Sequence, residues 1–364
     1  MMSTQRKKYD MNSPERGPLS HEIMHGAFMK EGTMVAFPAC FPGATTPIVA
    51  DESLITALDI TPEGIVHGGT SGKKVHLFAA AFHGVKGAVF DIGAVDGAEQ
   101  CVAVCSGSTH LIAAVNGPQG GRLVRTAPES MGSDMIQEWG FSRKPIEDLG
   151  EVAPGDPMQH AVAVKDVVIG TTTSRLFSVN TESGKPQIVG EVTGAGRLGV
   201  SGGGVYGLDG ATHLWRYDIA NGQIQRHAVA LPAGKWGVPL MWSRGNREGV
   251  LYTADNDGVL FRFSEKNGFS APLGKAPLTP VGPMAVTFDG RMFGFCGTEM
   301  ARMFGYDPAK KEVTDIGVAL SVIERRRYGY TFADAITGRD GQIYFGEDDN
   351  LGHLWLYFPK IREI

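Results

Sequence analysis

The sequence predicts an all-β fold, a seven-bladed β-propeller with four-stranded antiparallel blades, on three observations. First, a short motif recurs in which a cationic or apolar residue precedes an apolar one and then, usually, an aromatic. Its seven copies are His76-Leu77-Phe78, His110-Leu111-Ile112, Arg175-Leu176-Phe177, His213-Leu214-Trp215, Val259-Leu260-Phe261, Arg302-Met303-Phe304 and His353-Leu354-Trp355. Second, successive copies are 34, 65, 38, 46, 43 and 51 residues apart, and a period of about 40–50 residues is that of propeller blades. Third, the 364 residues include 50 glycines, well above an ordinary share of about 7%, as suits a chain that turns every few residues. No stretch has sustained helical periodicity.

The elements follow in order. Residues 1–50 form an N-terminal extension outside the repeat, in which Met34-Val35-Ala36-Phe37-Pro38 reads as a strand that joins the last blade and closes the ring. Closure removes the exposed edges that invite aggregation. Residues 51–364 read as one propeller. Blade 1 runs from about Leu54 to Gly93 and blade 2 from about Cys101 to Val124. An insertion at about 125–158, with Met131, Trp139, Phe141 and Lys144-Pro145, accounts for the 65-residue step. It is either a lid beside a pocket or an outer decoration. Blade 3 spans Ala161–Gly190, blade 4 Leu198–Gln223, blade 5 Leu240–Gly274, blade 6 Met284–Gly317 and blade 7 Thr331–Phe358. Each unit reads apolar strand, Gly-bearing turn, second strand, loop and aromatic strand. Gly202-Gly203-Gly204 is a hairpin turn rather than a phosphate cradle, because no helix follows.

Composition narrows the function. A net charge of −5, with no basic run beyond Arg325-Arg326-Arg327, argues against nucleic-acid binding. The first twenty residues lack the apolar core of a secretory signal, and no run approaches the ~18 apolar residues of a membrane span. A soluble cytoplasmic protein without a membrane partner is expected. Four cysteines show no C-x-x-C spacing. Cys101 and Cys105, four apart on one strand, are expected to share a face and pack as buried free thiols. The G-x-S-x-G elbow, P-loop and dinucleotide fingerprint are all absent.

In a four-stranded blade the innermost and third strands run the same way, so the loops leading into both open on one face, where propellers usually bind small ligands. The third-strand positions are His76, His110, Arg175, His213, Arg302 and His353; the inner-strand starts are His160, Arg197, Trp242, Met284, and Tyr328 or Tyr330. The second set should ring the mouth of the central channel, with the first one strand further out. Any single imidazole here would ordinarily lock neighbouring blades together. As a set, without one Asn or Gln among them, these positions read as a binding surface. Asp255, Asp257, Glu299 and Glu347-Asp348-Asp349 approach the same face. The last group ligates a hard cation such as Ca²⁺, forms a solvated turn or pairs with a nearby arginine such as one of 325–327, and converging imidazoles would suit Mn²⁺ or Zn²⁺. No H-x-H or H-E-x-x-H spacing supports a metal, and no other cofactor is implied.

A pocket rich in His, Arg and Tyr suits an acidic oligosaccharide as partner. β-Elimination from a uronate needs a cation on the carboxylate, a base for the neighbouring C–H and an acid for the leaving oxygen. The expected roles are Arg197 as carboxylate neutraliser, His160 or His76 as base and Tyr330 as proton donor. His213, His353, Arg175, Arg302, Tyr328 and Trp242 would hold the sugar. The elements Gly341-Gln342-Ile343-Tyr344-Phe345-Gly346, Met303-Phe304-Gly305-Tyr306-Asp307-Pro308 and Gly68–Phe78 resemble those of seven-bladed propellers among polysaccharide lyases, such as oligogalacturonate, ulvan and rhamnose-glucuronate lyases. The resemblance covers about residues 54–358 and implies a carbon–oxygen lyase of uronate-containing glycans. The competing expectations are a non-catalytic glycan- or protein-binding scaffold, in which the histidines tie blades together, and a metal-dependent lactonase or isomerase.

Overall fold

The computed structural model describes residues 31–40, 47–83, 86–127, 145–192, 196–237, 240–245, 248–322, 327–349 and 351–362. Its strands form seven antiparallel sheets, the blades of a seven-bladed β-propeller. Strand β1 (Gly32–Pro38) precedes the first blade, which comprises β2 (Leu54–Ile60), β3 (Val66–Ser71), β4 (Val75–His83) and β5 (Lys86–Val95). Blade 2 is β6 (Gln100–Ser106), β7 (Leu111–Gly117), β8 (Gly120–Thr126) and β9 (Glu147–Glu151). Blade 3 is β10 (Met158–Val164), β11 (Val167–Thr172), β12 (Arg175–Asn180) and β13 (Pro186–Glu191). Blade 4 is β14 (Gly199–Ser201), β15 (Gly204–Asp209), β16 (His213–Asp218) and β17 (Ile224–Ala230). In blade 5 the inner position is held by an irregular segment that touches the sheet through the bridge Trp242–Thr253. Outside it lie β18 (Leu251–Ala254), β19 (Val259–Ser264), β20 (Gly268–Phe269) and β21 (Gly274–Lys275). Blade 6 is β22 (Val281–Val286), β23 (Met292–Cys296), β24 (Arg302–Asp307) and β25 (Glu312–Leu320), with the two-residue β26 (Tyr328–Gly329) added outside. Blade 7 is β27 (Phe332–Thr337), β28 (Ile343–Glu347) and β29 (His353–Pro359), and β1 pairs antiparallel with β29 as its fourth strand.

No single core holds the disc together. Seven apolar clusters fill the seven interfaces between neighbouring blades, and the recurring motif explains how. Successive residues of a strand point to opposite faces, so the apolar residue and the aromatic of each motif enter different interfaces. Leu176 packs towards blade 4 and Phe177 towards blade 2; Leu214 packs towards blade 5 and Trp215 towards blade 3.

Blade 2 corrects the motif set. His110-Leu111-Ile112 stands where the second strand, β7, begins, and the third-strand copy is Arg122-Leu123-Val124 on β8. Leu123 packs towards blade 3 and Val124 towards blade 1, as the motif requires. With this copy the steps on either side are 46 and 53 residues. The segment 125–158 supplies β9, the fourth strand of blade 2; Met131, Trp139, Phe141 and Lys144 lie outside the described residues.

A register shift recurs early in the inner strands of blades 1, 2, 3, 6 and 7. Such a bulge adds one residue and reverses the facing of those that follow. Cys101 and Cys105 therefore enter opposite interfaces, towards blades 1 and 3 respectively, instead of sharing a face. All four cysteines are buried thiols outside any disulfide, and burial pushes the Cys101 thiol up to about 12, so they serve as small apolar fillers.

Candidate active site in the central channel

The inner strands enclose a cavity of about 470 Å³, lined by residues of blades 3, 4, 5 and 7. Its polar wall is built by side chains that reach across the ring. Arg197, two residues before β14, donates through Nη1 to Asp334 Oδ1 and through Nη2 to the carbonyl of Ala333, both on blade 7. Arg244, in the irregular inner segment of blade 5, donates through Nη2 to the carbonyl of Leu58 on blade 1. Its Nη1 lies 3.5 Å from Asp59 Oδ1 and its Nη2 3.9 Å from Asp334 Oδ2. Two guanidiniums thus face two carboxylates across the channel. Asp334 also accepts the backbone N–H of Leu58 at 2.8 Å and of Ala335 at 2.9 Å. Burial works to raise its pKa, but Arg197 and Arg244 outweigh that and hold the carboxyl below its usual range. Asp59 goes the other way, raised chiefly by burial although Arg244 opposes the shift.

His160 is the third residue of β10. Its Nδ1 accepts the backbone N–H of Leu198 at 3.1 Å, so the neutral ring carries its proton on Nε2. Burial, reinforced by Arg197 and Arg244, holds its pKa well below the usual imidazole value. A buried neutral imidazole with a fixed tautomer therefore stands in a wall that also holds two guanidiniums. Trp242, 4% exposed, lines the cavity and stacks near Phe269 at 6.2 Å between ring centroids. Exposed Glu248 lines the same space.

The inner-strand positions His160, Arg197 and Trp242 thus meet in one cavity. His76, Arg175, His213, Arg302, His353, Tyr328 and Tyr330 are not among its lining residues. Most of the third-strand cations are held within their own blade by an acid. His76 is clamped between Glu52 Oε2 at 2.8 Å and Asp91 Oδ1 at 3.0 Å. Arg122 lies 3.2 Å from Asp148, Arg175 pairs with Glu191, and Arg302 reaches Asp315 at 2.9 Å. His353 Nδ1 lies 3.2 Å from Glu347, which also accepts the Trp355 indole N–H at 3.0 Å. His213 bonds Thr212 Oγ1 at 2.9 Å and packs edge-on against His227. Tyr330 is 44% exposed, and Tyr328 belongs to β26.

Arg327 pairs with Glu347 at 3.3 Å and Asp349 at 3.7 Å, which accounts for the carboxylate run; Arg325 and Arg326 lie outside the described residues. Among the described residues no cluster of His, Cys, Asp or Glu could hold a metal ion. The chemistry that sequence reasoning overlooked is Arg244, Asp59, Asp334 and Glu248. The available signal was an acid inside an apolar inner strand, in Leu54-Ile55-Thr56-Ala57-Leu58-Asp59 and in Phe332-Ala333-Asp334-Ala335-Ile336. Such a residue needs a buried partner.

Searches against protein-family models and curated proteins find no match. Among solved structures the chain is similar to one described as a streptogramin B lyase structure, with a TM-score of 0.64 and 10% sequence identity over 92% of this chain and 99% of that one. The likeness is one of fold.

Proposed function

We propose that the channel cavity is the active site of a lyase that cleaves uronate-containing oligosaccharides by β-elimination. The observation that carries this reading is the neutral, tautomer-fixed His160 beside Arg197 and Arg244 in a cavity of ligand size. In such a reaction the proton at C5, next to the carboxylate, passes to a base. Its electron pair forms the C4–C5 double bond, the C4–O bond breaks, and the departing oxygen takes a proton. Arg197 and Arg244 stabilise the charge that builds on the carboxylate. His160 has its Nδ1 lone pair engaged and so does not act as base; the carboxylate of Glu248 takes the C5 proton and returns it to the departing oxygen, which the Nε2–H of His160 holds by a hydrogen bond. Trp242 supplies an apolar face for the sugar ring. His76 and Tyr330, outside the lining, have no part in this scheme. The fold likeness to a protein described as a lyase is consistent with the reaction class.

The test is ultraviolet absorbance during incubation with a panel of uronate oligosaccharides, run with chelator and with added Ca²⁺ or Mn²⁺. The unsaturated product absorbs, so a rising trace is expected, and His160→Ala, which removes the donor, should slow it by about 10²–10³-fold while the protein stays folded. Flat traces across the panel would defeat the proposal. A binding site without catalysis is the second reading. It is favoured by the hydrogen bonds and ion pairs that already commit Arg197, Arg244, Asp334 and His160 to neighbouring blades. Calorimetric binding with no change in absorbance would select it.

A further inference from the structure

A second cavity, of about 420 Å³, adjoins the first: Ala163 lines both, and Asp59 at its floor pairs with Arg244 in the wall of the other. It lies where the inner strands end. Its rim is made by the turns that follow the inner strands of blades 1, 3, 6 and 7, carrying Thr61-Pro62, Lys165, Phe288 and Arg339.

Two features set this rim apart. Lys165 and Arg339 are exposed cations whose side chains have no ion-pair or hydrogen-bond partner among the described residues, whereas most arginines here are paired with acids. Lys165 also occupies a backbone position that disfavours it. The turns after the inner strands of blades 1, 4, 5, 6 and 7 place glycine at positive φ, namely Gly64, Gly202, Gly249, Gly290 and Gly341. In blade 3 that role falls to Lys165, with φ 56° against 57° at Gly202 in the matching turn of blade 4. A side chain in the left-handed region strains the turn, a cost also borne by His227 and Lys311 elsewhere in the chain, but Lys165 alone of the three lines this cavity. Asp166 beside it is turned away to accept the N–H of Ser108 at 2.7 Å. Phe288, 54% exposed, completes the rim with an apolar face.

We propose that this mouth is a second subsite, which binds the next acidic sugar unit of the same oligosaccharide. The carboxylate of that unit sits between Lys165 and Arg339 and its ring lies on Phe288. The identity of the ligand rests on the uronate reading above; the preference of the subsite for an anion rests on the two cations left without partners among the described residues.

Calorimetry with uronate oligosaccharides of two and four units tests it, on the wild type, Lys165→Gly and Arg339→Ala. The longer ligand should bind the wild type about tenfold more tightly, a gain that salt weakens. Both substitutions should bring the two lengths close to parity. Lys165→Gly should do so with a melting temperature unchanged or raised, a result that a structural role for the lysine excludes. Equal affinities for the two lengths, a length effect that survives both substitutions, or no binding of any oligosaccharide would overturn the proposal. Absorbance on the same samples separates it from the lyase reading. Length-dependent binding without double-bond formation defeats only the lyase, and double-bond formation without length dependence defeats only the subsite.

Discussion

Two histidines of this chain meet opposite surroundings, and the difference makes stability depend on pH in opposite senses. His76, buried, has a carboxylate on each ring nitrogen. Burial works against its charge, but the hydrogen bonds its ring donates to Asp91 and Glu52 prevail and raise its pKa above the usual value. A raised pKa stabilises the fold below about pH 6.5, the unfolded value, and that contribution fades as pH rises through the folded one. His160 is depressed, so the unfolded chain takes up the proton first, and stability falls as pH drops below about 6.5. Thermal unfolding of His76→Gln and His160→Gln between pH 5 and 9 checks both signs. The first variant should lose most, roughly 1–3 kcal/mol, at acid pH and little at alkaline pH. The second should lose the acid-side decline that the wild type shows. Equal losses across the range would contradict the assignment. At this scale the sequence was half legible. His160, Arg197 and Trp242 could be picked out because they open inner strands. The carboxylate that meets Arg197 lies 137 residues away, and nothing local says which blade stands across the ring.

The strand pair formed by the second and third strands is where the repeat acquires its glycines. Gly68 pairs with Phe78, Gly170 with Phe177 and Gly207 with Trp215. A Cβ on these glycines would stand 2.1, 2.3 and 2.2 Å from the partner's ring. The aromatic lies flat across the neighbouring strand, and only hydrogen leaves it room. Gly170→Ala and Gly207→Ala are therefore expected to cost about 1–3 kcal/mol each through overpacking, read as a lower urea midpoint at unchanged slope. Neutral substitutions would show that the ring can move aside. The aromatic and the glycine were both visible as repeated letters, which is why the blades could be counted. Blade 2 misled because its third strand carries Val124 in place of an aromatic and so did not stand out from His110-Leu111-Ile112. The bulges escaped notice because one extra residue leaves an apolar run looking unchanged while reversing its facing, as Cys101 and Cys105 record.

Across the whole molecule, closure of the ring and the proposed site draw on the same contacts. β1 completes blade 7, and Met34 and Ala36 enter its interface with blade 6, so the first and last strands of the described residues are tied through one sheet. In the channel, Arg197 and Arg244 join blades 4 and 5 to blades 7 and 1 while lining the cavity. Most of the cations read from the third strands, His213 apart, are clasped by an acid of their own blade. The channel cavity is lined instead by residues of the inner strands, where a largely buried charge finds its partner across the axis. The most direct measurement of whether this cavity is the site is a crystal structure with a uronate disaccharide bound. The account predicts a sugar unit in the cavity, its carboxylate within hydrogen-bond distance of Arg197 or Arg244 and its ring against Trp242. A carboxylate bound instead at the outer positions His76, Arg175, Arg302 or His353, or an empty cavity at saturating ligand, would contradict it.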